Sequence, residues 1–172
     1  MSLNLLLKFI FNLCLMANVT VSQSVGTRIE SIDTDVKERN YSFSVIKKFV
    51  PKKDFREINF HKSHIVYFLF ENIDIENTDF SFAKLNGGKI KNVNIANSNF
   101  IYTDLRRVQF RDVIFTDCNL SFSDLRGTEF MYSHVGNTIF DGALFNNSTI
   151  LPFSRAEAMK RGMIFSNDRG ER

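Results

Sequence analysis

The side chains that usually do chemistry are few in this sequence, and their spacing serves none of the common reactions. Histidine occurs only as His61, His64 and His134. His61 and His64 are three residues apart, but no pattern of carboxylates or thiols nearby completes a metal site. The two cysteines, Cys14 and Cys118, are too few for a disulfide framework or a thiolate cluster. Serine and threonine are plentiful, yet none sits in a nucleophile elbow or a hydrolase motif. Gly87-Gly88 does not make a phosphate-binding loop. These absences set the expectation of a chain with no catalytic residue, no metal and no cofactor.

A period of five organises what remains. Every fifth residue from Phe55 to Ile150 is Phe, Leu, Ile or Val, without exception: Phe55, Phe60, Ile65, Phe70 and so on through Phe140, Phe145 and Ile150. With 44% apolar residues overall, such a run of twenty arises by chance about once in ten million trials. No helix or flat strand has that period. From residue 73 onward the residue two before each centre is small or β-branched, as in Thr78, Ala83, Gly88, Val93, Ser98, Thr103 and Cys118. The residue just before the centre is often Asp or Asn, as in Asp79, Asn99, Asp104, Asn119 and Asp124.

Stretches such as Ser123-Asp124-Leu125-Arg126-Gly127 and Thr103-Asp104-Leu105 resemble the A(D/N)LXX unit of the pentapeptide-repeat family, over about residues 60 to 150. The resemblance implies an all-β solenoid, a right-handed quadrilateral β-helix. Each five-residue unit makes one side and four units make one coil, so a second period of twenty is expected. The sequence obeys it: Leu85, Leu105, Leu125 and Phe145 fall in one column, and Thr78, Ser98, Cys118 and Thr138 in another. About four to five coils follow, a rod near ~20 Å long at the spacing of paired strands. On such a frame Asp112 and Asp117 lie on adjacent sides and form no acid/base pair. Cys118 points inward as a buried thiol, and Gly87-Gly88 falls at a corner and an inward position.

Two surface features stand out once the columns are drawn. Phe82, Tyr102 and Phe122 occupy one outward corner in successive coils, where Asn77, Asn97 and Asn137 stand at equivalent corners. They form an expected aromatic ladder, either as a partner-binding edge or as rings that stack to support the coils. Arg106 and Arg126 share a column, with Arg107 and Arg111 close by. This cluster is either a site for an acidic partner or a solvated face diluted by Asp104, Asp112 and Glu129.

The ends read differently. Residues 1–24 resemble a secretory signal peptide with an apolar centre over Phe9 to Ala17, although Asn4, Lys8 and Asn12 would also stripe a retained amphipathic helix. The apolar run is too short and too polar to span a membrane. Residues 25–54 keep little of the repeat, although Val45 and Val50 share its phase, and are expected to form an N-terminal cap or arm before a solenoid over 55–150. In the segment 151–172, Ser154-Arg155-Ala156-Glu157 is a capping box and Gly162 a helix stop. A short capping helix is expected, with Ala156, Met159 and Met163 on its apolar face, covering the last coil or forming a dimer interface.

Charge separates the functional classes. The chain nets +3, but residues 60–150 carry eight Lys/Arg against ten Asp/Glu. That weakly acidic body is no direct nucleic-acid binder. Members of the family that imitate DNA and bind type II topoisomerases present a strongly acidic rod, which the arginines here interrupt. The expectation is therefore a non-catalytic interaction or scaffold module. It is taken to be periplasmic or secreted, monomeric or dimeric through its C-terminal end, and bound to a protein or envelope partner. The alternative is a cytoplasmic DNA mimic of the gyrase-binding kind.

Overall fold

The computed structural model describes residues 28–29 and 40–167, and these form a parallel β-solenoid of about six turns. In chain order the strands are β1 (Arg28–Ile29), β2 (Val45–Ile46), β3 (Phe55–Arg56), β4 (His64–Ile65), β5 (Leu69–Glu71) and β6 (Asp74–Glu76). There follow β7 (Lys89–Ala96), β8 (Gln109–Thr116), β9 (Glu129–Met131) and β10 (Leu144–Phe145), then helix α1 (Arg155–Lys160) and β11 (Ile164–Phe165). Through the body each residue pairs with the one twenty further on: Phe55 with Ile75, Ile75 with Ile95, Ile90 with Phe110, and Phe110 with Phe130.

The five-residue pattern builds this coil through three devices. The central Phe, Leu and Ile side chains fill the interior, and Phe60, Phe80, Leu85, Leu105, Phe110 and Leu125 are all fully buried. Each such burial contributes roughly 1.5–3 kcal/mol. The small residue two places earlier also points inward, and there a hydroxyl ties coil to coil. Thr103 Oγ1 donates to the Phe80 carbonyl at 2.8 Å and Thr128 Oγ1 to the Leu105 carbonyl at 2.9 Å. Cys118 uses its thiol in the same way toward Ile95, at 3.3 Å.

The third device explains the Asp or Asn before the centre. Asp79 Oδ1 accepts from the Ser81 backbone N–H, Asn99 from Ile101, and Asn119 from Ser121, each near 3 Å. The Asx side chain thereby satisfies a donor that the corner would leave bare. The corner itself is a turn such as Phe80–Ala83, closed by the Ala83 N–H on the Phe80 carbonyl at 3.0 Å. Its third residue has positive φ, the type II arrangement.

The structure moves the solenoid's boundaries outward. Residues 40–54 are a coil, not a cap, but its period is nineteen: Val45 pairs with His64 and Phe49 with Phe68. The centres there are Tyr41, Ile46 and Pro51, all buried, while Val45 is exposed and Val50 half-buried. One residue is missing between Pro51 and Phe55 relative to the repeat, so Val45 and Val50 match the later phase without facing inward. This added coil, with strand β11 beyond the helix, raises the count above four to five.

At the other end the last coil has one residue too many, and Glu129 pairs with Ile150, twenty-one residues on. Thr149 takes the inward tie to the Leu125 carbonyl at 3.0 Å. Ile150 is pushed outside at 47% exposure and Ser148 is exposed with it, contrary to the unbroken five-residue count.

Helix α1 forms where the capping box lies, with the Ser154 side chain accepting from the Glu157 N–H. Its buried residue is Ala158; of the three residues expected inward, Met163 just beyond the helix is buried, while Ala156 and Met159 face outward. Two rings with cations on them close this end. The Arg155 guanidinium lies 3.6 Å from the Phe165 centroid and that of Arg161 4.7 Å from Phe153. After α1 the chain re-enters the coil in register, Leu144 pairing with Ile164. The segment read as a signal peptide or amphipathic helix, residues 1–24, lies outside the described residues. Among the described residues no helix is long and apolar enough to cross a membrane.

Candidate functional site

Among the described residues no group of three or more His, Cys, Asp or Glu side chains is placed to hold a metal ion. His61 Nδ1 shares a hydrogen bond with Ser81 Oγ at 2.8 Å and sits 3.9 Å from Asp79, while His64 and His134 are exposed on other sides. Cys118 is a free, buried thiol, and desolvation pushes its pKa above the ordinary thiol value. Asp112 and Asp117 are exposed at two successive corners.

The aromatic column is brought together. Phe82, Tyr102 and Phe122 each occupy the positive-φ position of their corner, with φ of 58°, 56° and 58°. The shared backbone conformation aims all three rings the same way. Phe82 and Tyr102 stack at 5.0 Å between centroids and 22° between planes, and Tyr102 and Phe122 at 5.0 Å and 13°. The rings are 45%, 51% and 46% exposed.

The column is longer than the sequence count suggests. Lys62 lies in it one coil below Phe82 and Phe43 below that. The Lys62 ammonium stands 5.3 Å from the Phe43 centroid and 5.6 Å from the Phe82 centroid, a cation held between two ring faces. At the other end the Phe122 ring lies over Gly142, where a side chain on that residue would collide with it. Phe43 escaped notice because the nineteen-residue coil shifts its phase by one. The signal was present in Tyr41, Ile46 and Pro51, which keep the five-residue step on their own.

With Lys62 under Phe82 and Gly142 above Phe122, the broad ring faces along Phe82, Tyr102 and Phe122 are covered. What the column offers to solvent is a ridge of ring edges. A flat ligand finds no free face to stack on, whereas an apolar groove on a partner can seat the ridge.

The four arginines divide into two pairs. Arg106 grips Asp104 through two bonds of 2.8 and 2.7 Å, and Arg126 grips Asp124 at 2.9 and 2.7 Å. Arg106 also lies 3.6 Å from Asp124. Burial alone would raise the Asp104 pKa, but hydrogen bonds from the Arg106 side chain and backbone, with the charges of Arg106 and Lys84, hold it below its ordinary value. The Asp104 partner in turn raises the pKa of Arg106. Arg107 and Arg111 are exposed and make no ion pair with any described residue. The arginines therefore do not act as one cluster.

Residues 94–131 match the family model described as pentapeptide repeats, in eight copies. No curated protein sequence is significantly similar to the chain. Among solved structures, a pentapeptide repeat protein from the cyanobacterium Cyanothece 51142 is similar over 56% of this chain, at 17% identity and a TM-score of 0.35, and the chain spans 63% of that protein. One from Nostoc Pcc 7120 is similar over 62% of this chain and 84% of its own, at 18% identity and a TM-score of 0.40. QnrB1, a plasmid-mediated fluoroquinolone resistance protein, is similar over 83% of this chain and 91% of its own, at 13% identity and a TM-score of 0.42. Residues 94–131 carry pentapeptide repeats, and the twenty-residue coils and Asx-capped corners extend the same build along the solenoid.

Proposed function

We propose that this chain is a non-catalytic interaction module, exported from the cytoplasm, that seats a partner protein on its Phe82–Tyr102–Phe122 ridge. One observation carries the reading. Three bulky apolar side chains stand in line, each about half exposed, on a backbone that fixes them before any partner arrives. Preorganised aromatic anchors bind without loss of rotamer freedom, and such anchors dominate protein interfaces. The ridge is a narrow shape that matches a groove, and Lys62 beside it supplies a charge for the rim.

Export rests on the resemblance of residues 1–24 to a signal peptide. The gyrase-mimic alternative needs a continuous negative surface. Arg107 and Arg111 break that surface with unpaired positive charge, and Arg106 and Arg126 neutralise the aspartates beside them.

A photoreactive phenylalanine analogue at Tyr102 tests the ridge in the native host, with the analogue at Asn97 as the control on another corner. One discrete crosslinked protein at residue 102, absent at 97, is the expected result. Equal crosslinking at both positions would remove the ridge as the docking edge. Export is tested separately by mass spectrometry of the protein's N-terminus. A mature chain beginning between about Asn18 and Gly26 is expected, and an intact Met1 on soluble cytoplasmic protein would overturn export alone.

A further inference from the structure

A second surface lies on a different side of the coil, where β5, β7, β8 and β9 form a four-stranded parallel ladder. Its outward residues are fixed by register. Leu69 and Glu71 make one row, Lys89 and Lys91 the next, then Gln109 and Arg111, and finally Glu129 and Met131. At the corner leading onto this side stand Tyr67, Gly87, Arg107 and Gly127 in successive coils. The two middle coils thus present Lys89, Lys91, Arg107 and Arg111 on one rigid face, with rows about 4.8 Å apart and outward neighbours about 6.6 Å apart along each strand. The adjacent acids are at the borders: Glu71 holds Lys91 at 2.8 Å, Glu129 is 3.5 Å from Gln109, and Asp112 sits at the far corner. Lys89, Arg107 and Arg111 have no carboxylate partner among the described residues.

We infer that this face binds an acidic polysaccharide, a chain bearing carboxylates or sulfates on successive sugars. Charge complementarity selects a polyanion. The make-up of the face selects which one. A protein partner would need apolar anchors at the centre of the patch, and the centre here is Lys89, Lys91, Gln109 and Arg111. A nucleic-acid strand would need successive rings for its bases, and the two rings that border the site, Tyr132 and Tyr67, stand at opposite corners with no ring between them, Tyr67 being the one next to Gly87. One ring suits the C–H face of one sugar. Beside it a side chain on Gly87 would meet no atom within 4 Å, so the corner between Tyr67 and Arg107, two coil spacings of about 4.8 Å apart, is open to solvent. Gln109 and Asn86, both exposed, offer amides to the hydroxyls between the acid groups.

The site and the aromatic ridge are separate, and neither proposal depends on the other. The test is titration of the full chain with heparin oligosaccharides, with oligogalacturonate and with a twenty-nucleotide oligothymidylate, at 50 and 200 mM NaCl. Binding of one or both saccharides, weakened steeply by the added salt, is expected. A Lys89→Ser, Arg107→Ser, Arg111→Ser variant should lose at least about tenfold in affinity. Arg107→Lys with Arg111→Lys, which keeps the charge, should lose much less, and Lys160→Ser, at an exposed lysine on helix α1 away from this face, should leave saccharide affinity unchanged. Unchanged far-UV spectra confirm that each variant folds, as expected for exposed positions. Three results would each overturn the inference: no saccharide binding at 50 mM salt, full binding by the triple variant, or oligothymidylate binding as tightly as the saccharides.

Discussion

The same exchange of volume occurs twice in this molecule, once in the core and once on the surface. Inside, Phe68 occupies an inward position that from residue 73 onward takes only small or β-branched side chains, and its ring fills the space that Gly88, twenty residues on, leaves empty. Outside, the Phe122 ring lies where Gly142, again twenty residues on, has no side chain. In both places a large ring in one coil is licensed by a glycine in the next. The consequences differ, because the inner ring packs against Phe70 and is cut off from water, whereas the outer ring is half exposed. A coil residue is therefore chosen by the residue stacked on it as well as by its place in the five-residue unit.

Substituting Gly88 breaks the inner pair most severely. Its φ is not in the left-handed region, so space and not backbone conformation demands glycine. Any Cβ there falls inside the Phe68 ring. Gly88→Val is expected to abolish cooperative folding in urea denaturation, a loss above about 4 kcal/mol. Adding Phe68→Ala to Gly88→Val should restore a cooperative transition, and failure to do so would mean the two positions are not exchanging volume. Phe68→Ala alone opens a cavity beneath a glycine that cannot fill it, for an expected loss of about 3–5 kcal/mol.

On the surface the corresponding change is milder. Gly142→Ala meets a φ of +68° as well as the Phe122 ring, but that ring can swing into solvent. A loss of about 1–2 kcal/mol is expected, mostly from the backbone. Phe122→Ser in the same background should recover only the part due to the collision. If it recovers everything, the left-handed corner tolerates alanine without strain.

Much of this was legible beforehand because the five-residue period acts directly on burial. The buried centres from Phe55 to Phe145, the inward Cys118 and the ladder of Phe82, Tyr102 and Phe122 all follow from counting. Counting fails where the coil changes length. The missing residue near Pro51 turns Val45 and Val50 outward, and the added one near Ser148 exposes Ile150, yet both stretches still show apolar residues in the old phase. Contacts between side chains were also out of reach. Spacing placed Arg106, Arg107, Arg111 and Arg126 together, but only geometry shows that Arg106 and Arg126 are held by Asp104 and Asp124. Helix α1 was found by its capping box, and its buried face was not, because a six-residue helix gives too little periodicity to orient it.

Tyr102→Ser isolates the ring–ring contribution of the outer column. The substitution removes two stacked contacts, each worth about 0.5–1.5 kcal/mol where buried and less here, since both partners are half exposed. A loss near 1 kcal/mol is expected. A loss above about 3 kcal/mol, on the scale of core truncations, would show that the ladder clamps the coils, and would weaken its reading as a docking ridge.

The smallest effect distinguishes the aromatic corner from its neighbour at Asp104 and Arg106, which has the same turn but is held by charge. Asp104 has a folded-state pKa below the ordinary 3.8, so it contributes stability above that value and loses it as pH falls through the lower folded one. Arg106 stays charged throughout. Asp104→Asn keeps an oxygen for the Arg106 backbone N–H but removes the charge and the second acceptor for the guanidinium, and it should cost at most about 1 kcal/mol at pH 7, as the pair is partly exposed. That difference from the native chain should shrink toward zero as pH drops from 4 to 2, and should shrink in 0.5 M salt at pH 7. Tyr102→Ser should differ from the native chain by the same amount at pH 7 and pH 3. An Asp104→Asn difference that persists unchanged at pH 2 would mean that packing, not charge, holds the second corner, and the contrast between the two corners would then disappear.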